Sequence, residues 1–236
     1  MFQMRDCIVT PTPQAKSVDL EKEETLNPGQ IEAQPFDCRD LLETLDLTLL
    51  TQSDNQYLAC YNTTHWRAAQ RVLKYLKGTS TNNIEYNGNS TAKVELYTDT
   101  SFANANEGRK FVTGFVSILA GACITWTSVK QNCIILNTAE LELVTAREGV
   151  TVIRYQSNAI IDNTAAISII KDPCSHSSTK HIDIRHLHVR DTHEDKQISV
   201  MYFSTNDILA DALTNPLRQP QFEKLRAMMA VKNLKL

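Results

Sequence analysis

Four acidic residues stand out because each sits beside an apolar stretch that would hold its backbone still. Asp99 follows the β-branched and aromatic run "VELYT", Glu142 lies in "NTAELELVTA", Asp162 ends "NAIID", and Asp211 lies in "DILADALTN". Taken singly, an aspartate at a strand end is a turn-former, because its side chain hydrogen-bonds nearby backbone. Taken together, four carboxylates from separate elements would repel one another unless a cation held them. A hard ion such as Mg2+ takes oxygen ligands, with only one or two carboxylates per ion. Two such ions, about 4 Å apart, can clamp the attacking and leaving oxygens of a phosphodiester. The chemistry on offer is metal-assisted hydrolysis of a nucleic-acid backbone. The competing reading is a set of unrelated caps and turns.

The elements that must position these residues are legible from periodicity. Trp66, Ala69, Leu73 and Leu76 recur at helical spacing before Gly78, which suits a helix end. A strand is expected over 93–99, a hairpin over 110–119 and 122–128, and a short strand over 133–136. A helix starts near Ala139 with Leu143, Ala146, Val150 and Ile153 on one face. A strand over 158–162, a helix over 164–171 and the strand "QISVMYFST" follow. A short helix over 207–214 and a last one from Gln219, with Pro220 in its first turn, close the chain. Strands first, then alternating helices and strands, imply an α/β fold: a mixed sheet with helices on its faces.

Charge and cysteine usage narrow the class. Of the 236 residues, positions 1–59 carry four Lys/Arg against eleven Asp/Glu, leaving twenty against sixteen for the remainder. An acidic lead and a mildly basic body are compatible with a nucleic-acid partner. Residues 10–36 hold four of the seven prolines and little apolar periodicity, so a disordered arm is expected there, and the whole of 1–59 is expected to fold poorly. "RDLLETLDLTLL" at 39–50 could form a short helix. Cys7, Cys38, Cys60, Cys123, Cys133 and Cys174 form no CxxC pair, which excludes a zinc ribbon and fits reduced, intracellular thiols in cytoplasm or nucleus. The opening "MFQMRDCIVTPTPQ" has no apolar run suited to secretion. The uncharged stretch 111–129 is long enough to cross a bilayer, but its Thr, Ser and Gly residues fit two buried strands joined near Ala120–Gly121, so no membrane is expected. Five of the six histidines fall within 176–193, without the spacing of a zinc site.

The order of the acids and the text around them resemble a known family. "VELYTDTSFANAN" resembles the first strand of ribonuclease H. "HWRAAQRVLKYLKGT", the stretch from "RKFVTGF" to "ELELVTA", "DNTAAISIIKDP", "STKHIDIRHLHVRD" and "ILADALTNPL" are similar, in order, to the C-terminal part of copia-type retrotransposon Pol polyproteins. "FQMRDCIVTPTP" resembles the place where their reverse transcriptase ends, and no "YVDD"-like polymerase motif is present. The resemblance implies a ribonuclease H-like five-stranded mixed sheet over 90–236, preceded by a helical connection over 60–89. It implies hydrolysis of the RNA strand of an RNA–DNA hybrid with two Mg2+ ions, or Mn2+. Asp99, Glu142, Asp162 and Asp211 would be the catalytic and metal-binding residues, and Lys180, Arg185 and Arg190 could contact phosphates. Departures are visible: much of the family's text between residues 14 and 64 is missing, and the strand ending at Thr205 leaves no room for a histidine-bearing loop before Asp211. The segment between Glu142 and Asp162 is short, and the family's "LTKPL" reads "LTNPL" here. The alternative is a remnant without activity that binds nucleic acid or protein.

Overall fold

The computed structural model describes residues 6–16, 63–86, 88, 93–102, 111–131, 137–153, 156–171 and 184–233. The short helix expected over 39–50, the strand expected over 133–136 and the arm beyond residue 16 lie outside these residues, whereas 10–16, the start of the expected arm, lies within them. The chain divides into two compact units, Met1–Asn82 with Pro216–Phe222 and Asn233–Leu236, and Asn83–Asn215 with Glu223–Lys232.

In the first unit, helix α1 (Thr63–Gly78) forms where the apolar spacing predicts it. Its buried residues are His65, Ala69 and Val72, an i, i+4, i+7 stripe turned slightly from the expected one. The segment before it is tied down by polar contacts. Arg71 Nη2 donates to Thr12 Oγ1 at 2.8 Å, and Thr10 Oγ1 donates to the Arg71 carbonyl at 3.2 Å. Tyr75 meets Phe222 edge to face at 5.7 Å between ring centres.

The second unit is built on five strands: β2 (Val94–Phe102), β3 (Phe111–Leu119), β4 (Ala122–Gln131), β5 (Ser157–Ile161) and β6 (Ile198–Tyr202). Their order is β4-β3-β2-β5-β6, with β2–β3 and β3–β4 antiparallel and β2–β5 and β5–β6 parallel. Two short strands, β1 (Asn82–Ile84) and β7 (Val231–Asn233), pair separately. Helices α2 (Thr138–Val152), α3 (Thr164–Lys171), α4 (Ile184–Glu194), α5 (Asp211–Thr214) and α6 (Gln219–Met228) complete the described elements. This is the ribonuclease H-like mixed sheet that the resemblance implies.

The uncharged stretch is a hairpin. Ala120 and Gly121 both have positive φ (51° and 79°) between Leu119 and its partner Ala122, a two-residue turn whose twist matches the strands. Among the described residues no helix is long and apolar enough to cross a membrane. Edge strand β4 bulges at the exposed Ile124, which is left unpaired where the register with Ser117 and Ile118 of β3 shifts. Such a bulge discourages edge-to-edge pairing with another sheet.

Two elements differ from expectation. Helix α4 forms within the histidine-rich stretch, where no helix is expected. From His188 to Glu194 its sequence has a single apolar residue, the fully buried Val189, and so carries little amphipathic signal. The expected helix over 207–214 is instead a 3-10 turn (Thr205–Asp207) and the single-turn α5. Ile208, Leu209 and Ala210 between them are all fully buried. Three consecutive helical residues point about 100° apart and cannot share one buried face, so the chain abandons the helix there.

The sheet is covered on both faces. Leu96, Phe115, Leu143, Ala146, Ile161, Ile167, Val189 and Val200 belong to one core under α2, α3 and α4. Gly149 lets α2 approach so closely that an added Cβ would lie 2.8 Å from Leu96 Cδ1. Gly114 precedes Phe115 and so faces the other side, where its missing Cβ admits α5; a methyl there would lie 2.7 Å from Thr214 Cγ2. Gly114→Ala should therefore destabilise the fold by about 1–3 kcal/mol through overpacking. Thr214→Ser, which removes the opposing methyl and keeps the hydroxyl, should recover most of that loss. Urea denaturation of both single variants and the double variant measures it; equal stability of Gly114→Ala with and without Thr214→Ser would contradict this seating of α5.

Candidate metal centre

The site arises because β2 is longer than its parallel neighbour. Pairing with β5 ends at Tyr97↔Ile160, whereas pairing with β3 continues to Phe102↔Phe111. Asp99 therefore does not close its strand, as the sequence suggests, but lies three residues inside it. Past Tyr97 the side of β2 towards β5 opens, forming a notch at the carboxyl ends of the two strands. Crevices of that kind are where open α/β sheets bind ligands.

Each acid reaches the notch from an element whose end is fixed by its own residues. Asp162 follows β5 directly and precedes Asn163, whose Oδ1 accepts from the Ala166 amide at 3.0 Å and caps α3. Asn137 caps α2 in the same way through the Ala139 amide at 3.0 Å, and Glu142 stands one turn later. Asp211 opens α5. One carboxylate oxygen from each of Asp99, Glu142 and Asp162 lies within 4.8 Å of the others. Among the described residues this is the one His/Cys/Asp/Glu group so arranged, and it contains no histidine.

Hydroxyls hold the three acids one by one. Thr100 Oγ1 donates to Glu142 Oε1 at 2.7 Å, Thr205 Oγ1 donates to Asp162 Oδ2 at 2.7 Å, and the Thr214 hydroxyl donates to Asp99 Oδ2. Asp211, 8% exposed, stands outside the trio and accepts from Asn215 Nδ2 at 2.8 Å through Oδ1. The other Glu142 oxygen, Oε2, is buried without a hydrogen-bond partner. A buried polar atom left unpaired is costly, and here it belongs to an acceptor-only group beside two further carboxylates. An all-oxygen donor set with such an atom fits a hard divalent cation.

The electrostatics point the same way. Asp99 and Glu142 are each 4% exposed. Burial pushes the Asp99 carboxyl up to about 7; the Thr214 hydrogen bond opposes the shift, and the charges of Asp211 and Asp162 add to it. Burial pushes Glu142 up to about 8, opposed by Thr100 and reinforced by Asp99 and Asp162.

The basic residues fare differently. Arg190, expected to reach a phosphate, is 8% exposed, and its Nε and Nη2 donate to the Ile169 carbonyl at 3.1 and 2.5 Å. It ties α4 to α3 inside the second unit. Lys180 and the Arg185 side chain lie outside the described residues. Thr100, Thr205, Thr214 and Asn215 are site residues that the sequence reading leaves unassigned. The i, i+4 spacing of Asp211 and Asn215 is the one local signal that could have found Asn215.

Without cations the site should set the pH dependence of stability. Both carboxyls bind protons more tightly folded than at their ordinary 3.8 and 4.5. The folded state therefore holds the extra protons, and stability falls as pH rises from about 4 to about 8, then levels off. The slope is bounded by about 1.4 kcal/mol per pH unit per proton. Millimolar Mg2+ should flatten it by stabilising the charged forms. Melting temperatures across that range, with EDTA or Mg2+, test this; an apo protein that gains stability towards pH 8 would contradict it.

No protein-family model matches the chain. It is 31% identical over 180 residues to the retrovirus-related Pol polyprotein from transposon TNT 1-94 of Nicotiana tabacum, covering 71% of this chain and 14% of that protein. It is 24% identical over 249 aligned positions to the Pol polyprotein from transposon RE2 of Arabidopsis thaliana, covering 96% of this chain and 17% of that protein. The chain thus spans less than a fifth of the length of these relatives. Among solved structures, the N-terminal RNase H domain of Rv2228c from Mycobacterium tuberculosis aligns with TM-score 0.40 and 11% identity, over 58% of this chain and 98% of that one.

Proposed function

Because the chain belongs with the retrovirus-related Pol polyproteins of copia-type retrotransposons, we propose that its ribonuclease H-like domain hydrolyses the RNA strand of RNA–DNA hybrids. The observation that carries this reading is the trio of carboxylate oxygens within 4.8 Å, one residue of which keeps a buried and unpartnered oxygen. A helix residue with no further role would turn its carboxylate to water, whereas Glu142 keeps Oε2 buried and unpartnered beside two other acids. Asp99 and Asp162 would hold the cations, Glu142 would hold the cation on the attacking-water side, and Asp211 would complete the second position. Bound Mg2+, or Mn2+ in its place, supplies Lewis-acid stabilisation of the attacking and leaving oxygens.

The chain's own residues do the positioning. Thr100, Thr205 and Thr214 donate hydroxyl hydrogens without adding charge, so the acids stay attractive to a cation. An arginine or lysine in those places would neutralise them. Burial on the α5 side excludes water from Asp99, which strengthens its attraction for any ion admitted to the notch.

Asp99→Asn keeps the side-chain shape and removes one charge. It should leave the apo fold as stable as before or slightly more stable, lower hybrid cleavage by at least about 100-fold, and reduce stabilisation by Mg2+. Cleavage of a labelled hybrid in Mg2+ or EDTA, with thermal melts in both, reads all three. A wild-type chain that binds no divalent cation and cleaves no hybrid would replace this proposal with the inert-remnant reading.

A further inference from the structure

Asn215 lies outside the metal-ligand set, yet its amide reaches two of the acids and two further site residues. Its Nδ2 donates to Asp211 Oδ1 at 2.8 Å and also lies 3.2 Å from Thr214 Oγ1 and 3.4 Å from Asp99 Oδ2. Its Oδ1 accepts from Ser101 Oγ at 2.6 Å. Ser101 shares a face of β2 with Asp99, two residues away, so the amide spans from the central strand to the end of α5. Its orientation is determined by its neighbours. An ionised Asp211 only accepts, so the NH2 end must face it, and the carbonyl end is left for the serine.

We propose that Asn215 is a positioning residue of the cation site, holding Asp211 beside Asp99 through an amide that Ser101 locks in place. The proposal rests on the reading of the acids as cation ligands. Asp211 and Asp99 repel each other, and the backbone bonds of the single-turn α5 fix its main chain but not the direction of the Asp211 carboxylate. A neutral donor reaching Asp211 and lying next to Asp99 holds the pair without lowering the site's negative charge. Ser101 supplies what Asn215 alone lacks. Without the serine hydroxyl the carbonyl end loses its tie to β2, and the amide is held only through its NH2 end.

The test uses the whole chain with Mn2+ as probe, read by water-proton relaxation and by thermal melts, and with hybrid cleavage in Mg2+. Asn215→Ala should weaken Mn2+ binding by about tenfold or more, as loss of groups that orient metal ligands generally does. It should lower kcat while leaving KM for the hybrid near the wild-type value. Ser101→Ala should have the same sense with a smaller effect, and the double variant should be no worse than Asn215→Ala. Asn215→Asp, which sets a third carboxylate against the pair, should be worse than alanine. Should Asn215→Ala fail to fold, Ser101→Ala still reports, since it leaves the Asn215–Asp211 bond in place. Wild-type Mn2+ binding that weakens in Asn215→Ala, without hybrid cleavage by any variant, would support the positioning role and overturn the nuclease reading. Wild-type cleavage with Mn2+ affinity and kcat within twofold of wild type in Asn215→Ala, or in Ser101→Ala if the former does not fold, would overturn the positioning role alone. A wild-type chain that binds no Mn2+ would overturn both.

Discussion

The constraint on which the rest of the second unit turns is the burial of the Asp99 carboxylate on the middle strand of the sheet. Placing a carboxylate in a low-dielectric interior is costly unless its surroundings satisfy it or it takes up a proton. Here the neighbours aggravate the problem, because Asp162 and Asp211 add negative charge and raise its proton affinity further. The fold nonetheless builds towards this position. Gly114 opposite Asp99 lacks a side chain, so α5 can close over that face and bring Thr214 and Asp211 to the acid. A core made for stability alone would place a leucine or valine at position 99.

The polar residues around the acids share one chemical property, the ability to donate without charge. Threonine hydroxyls serve Asp99, Glu142 and Asp162, and an asparagine amide serves Asp211. A buried acid paired with arginine would be a structural ion pair, in which the positive partner occupies the place a cation needs. Arg190 shows the contrast, since it lies inside the same unit but binds a helix-end carbonyl on α3. The arrangement keeps geometry and charge separate: neutral hydroxyls and an amide set where the carboxylates point.

Kinship with transposon Pol polyproteins gives this geometry a context. The aligned relatives are six to seven times longer than the stretch they share with this chain. A site carried on a stretch of that size still has to be assembled from several strands and helices of one sheet. The described sheet meets that requirement: all five strands are present, both faces are covered, and each carboxylate arrives from a different element.

Much of this was legible beforehand. Helix α1, the hairpin and helix α3 follow from periodicity and turn chemistry, because the residues that decide them are neighbours along the chain. The four acids were legible as candidates through motif order, since a resemblance needs no coordinates. What the sequence could not determine was every relation between distant segments. That Asp99 lies inside its strand depends on where β5 stops pairing. That residues 207–214 break into a turn and a single helical turn depends on the core accepting Ile208, Leu209 and Ala210 together. Arg190 reads as a phosphate ligand until α3 supplies a carbonyl for it, and Asn215 reads as a lost lysine until Ser101, more than a hundred residues earlier, meets its amide. Local propensity acts over a few residues and is written in order along the chain. Burial, partner choice and charge accumulation depend on which segments pack together, and only the tertiary structure decides that.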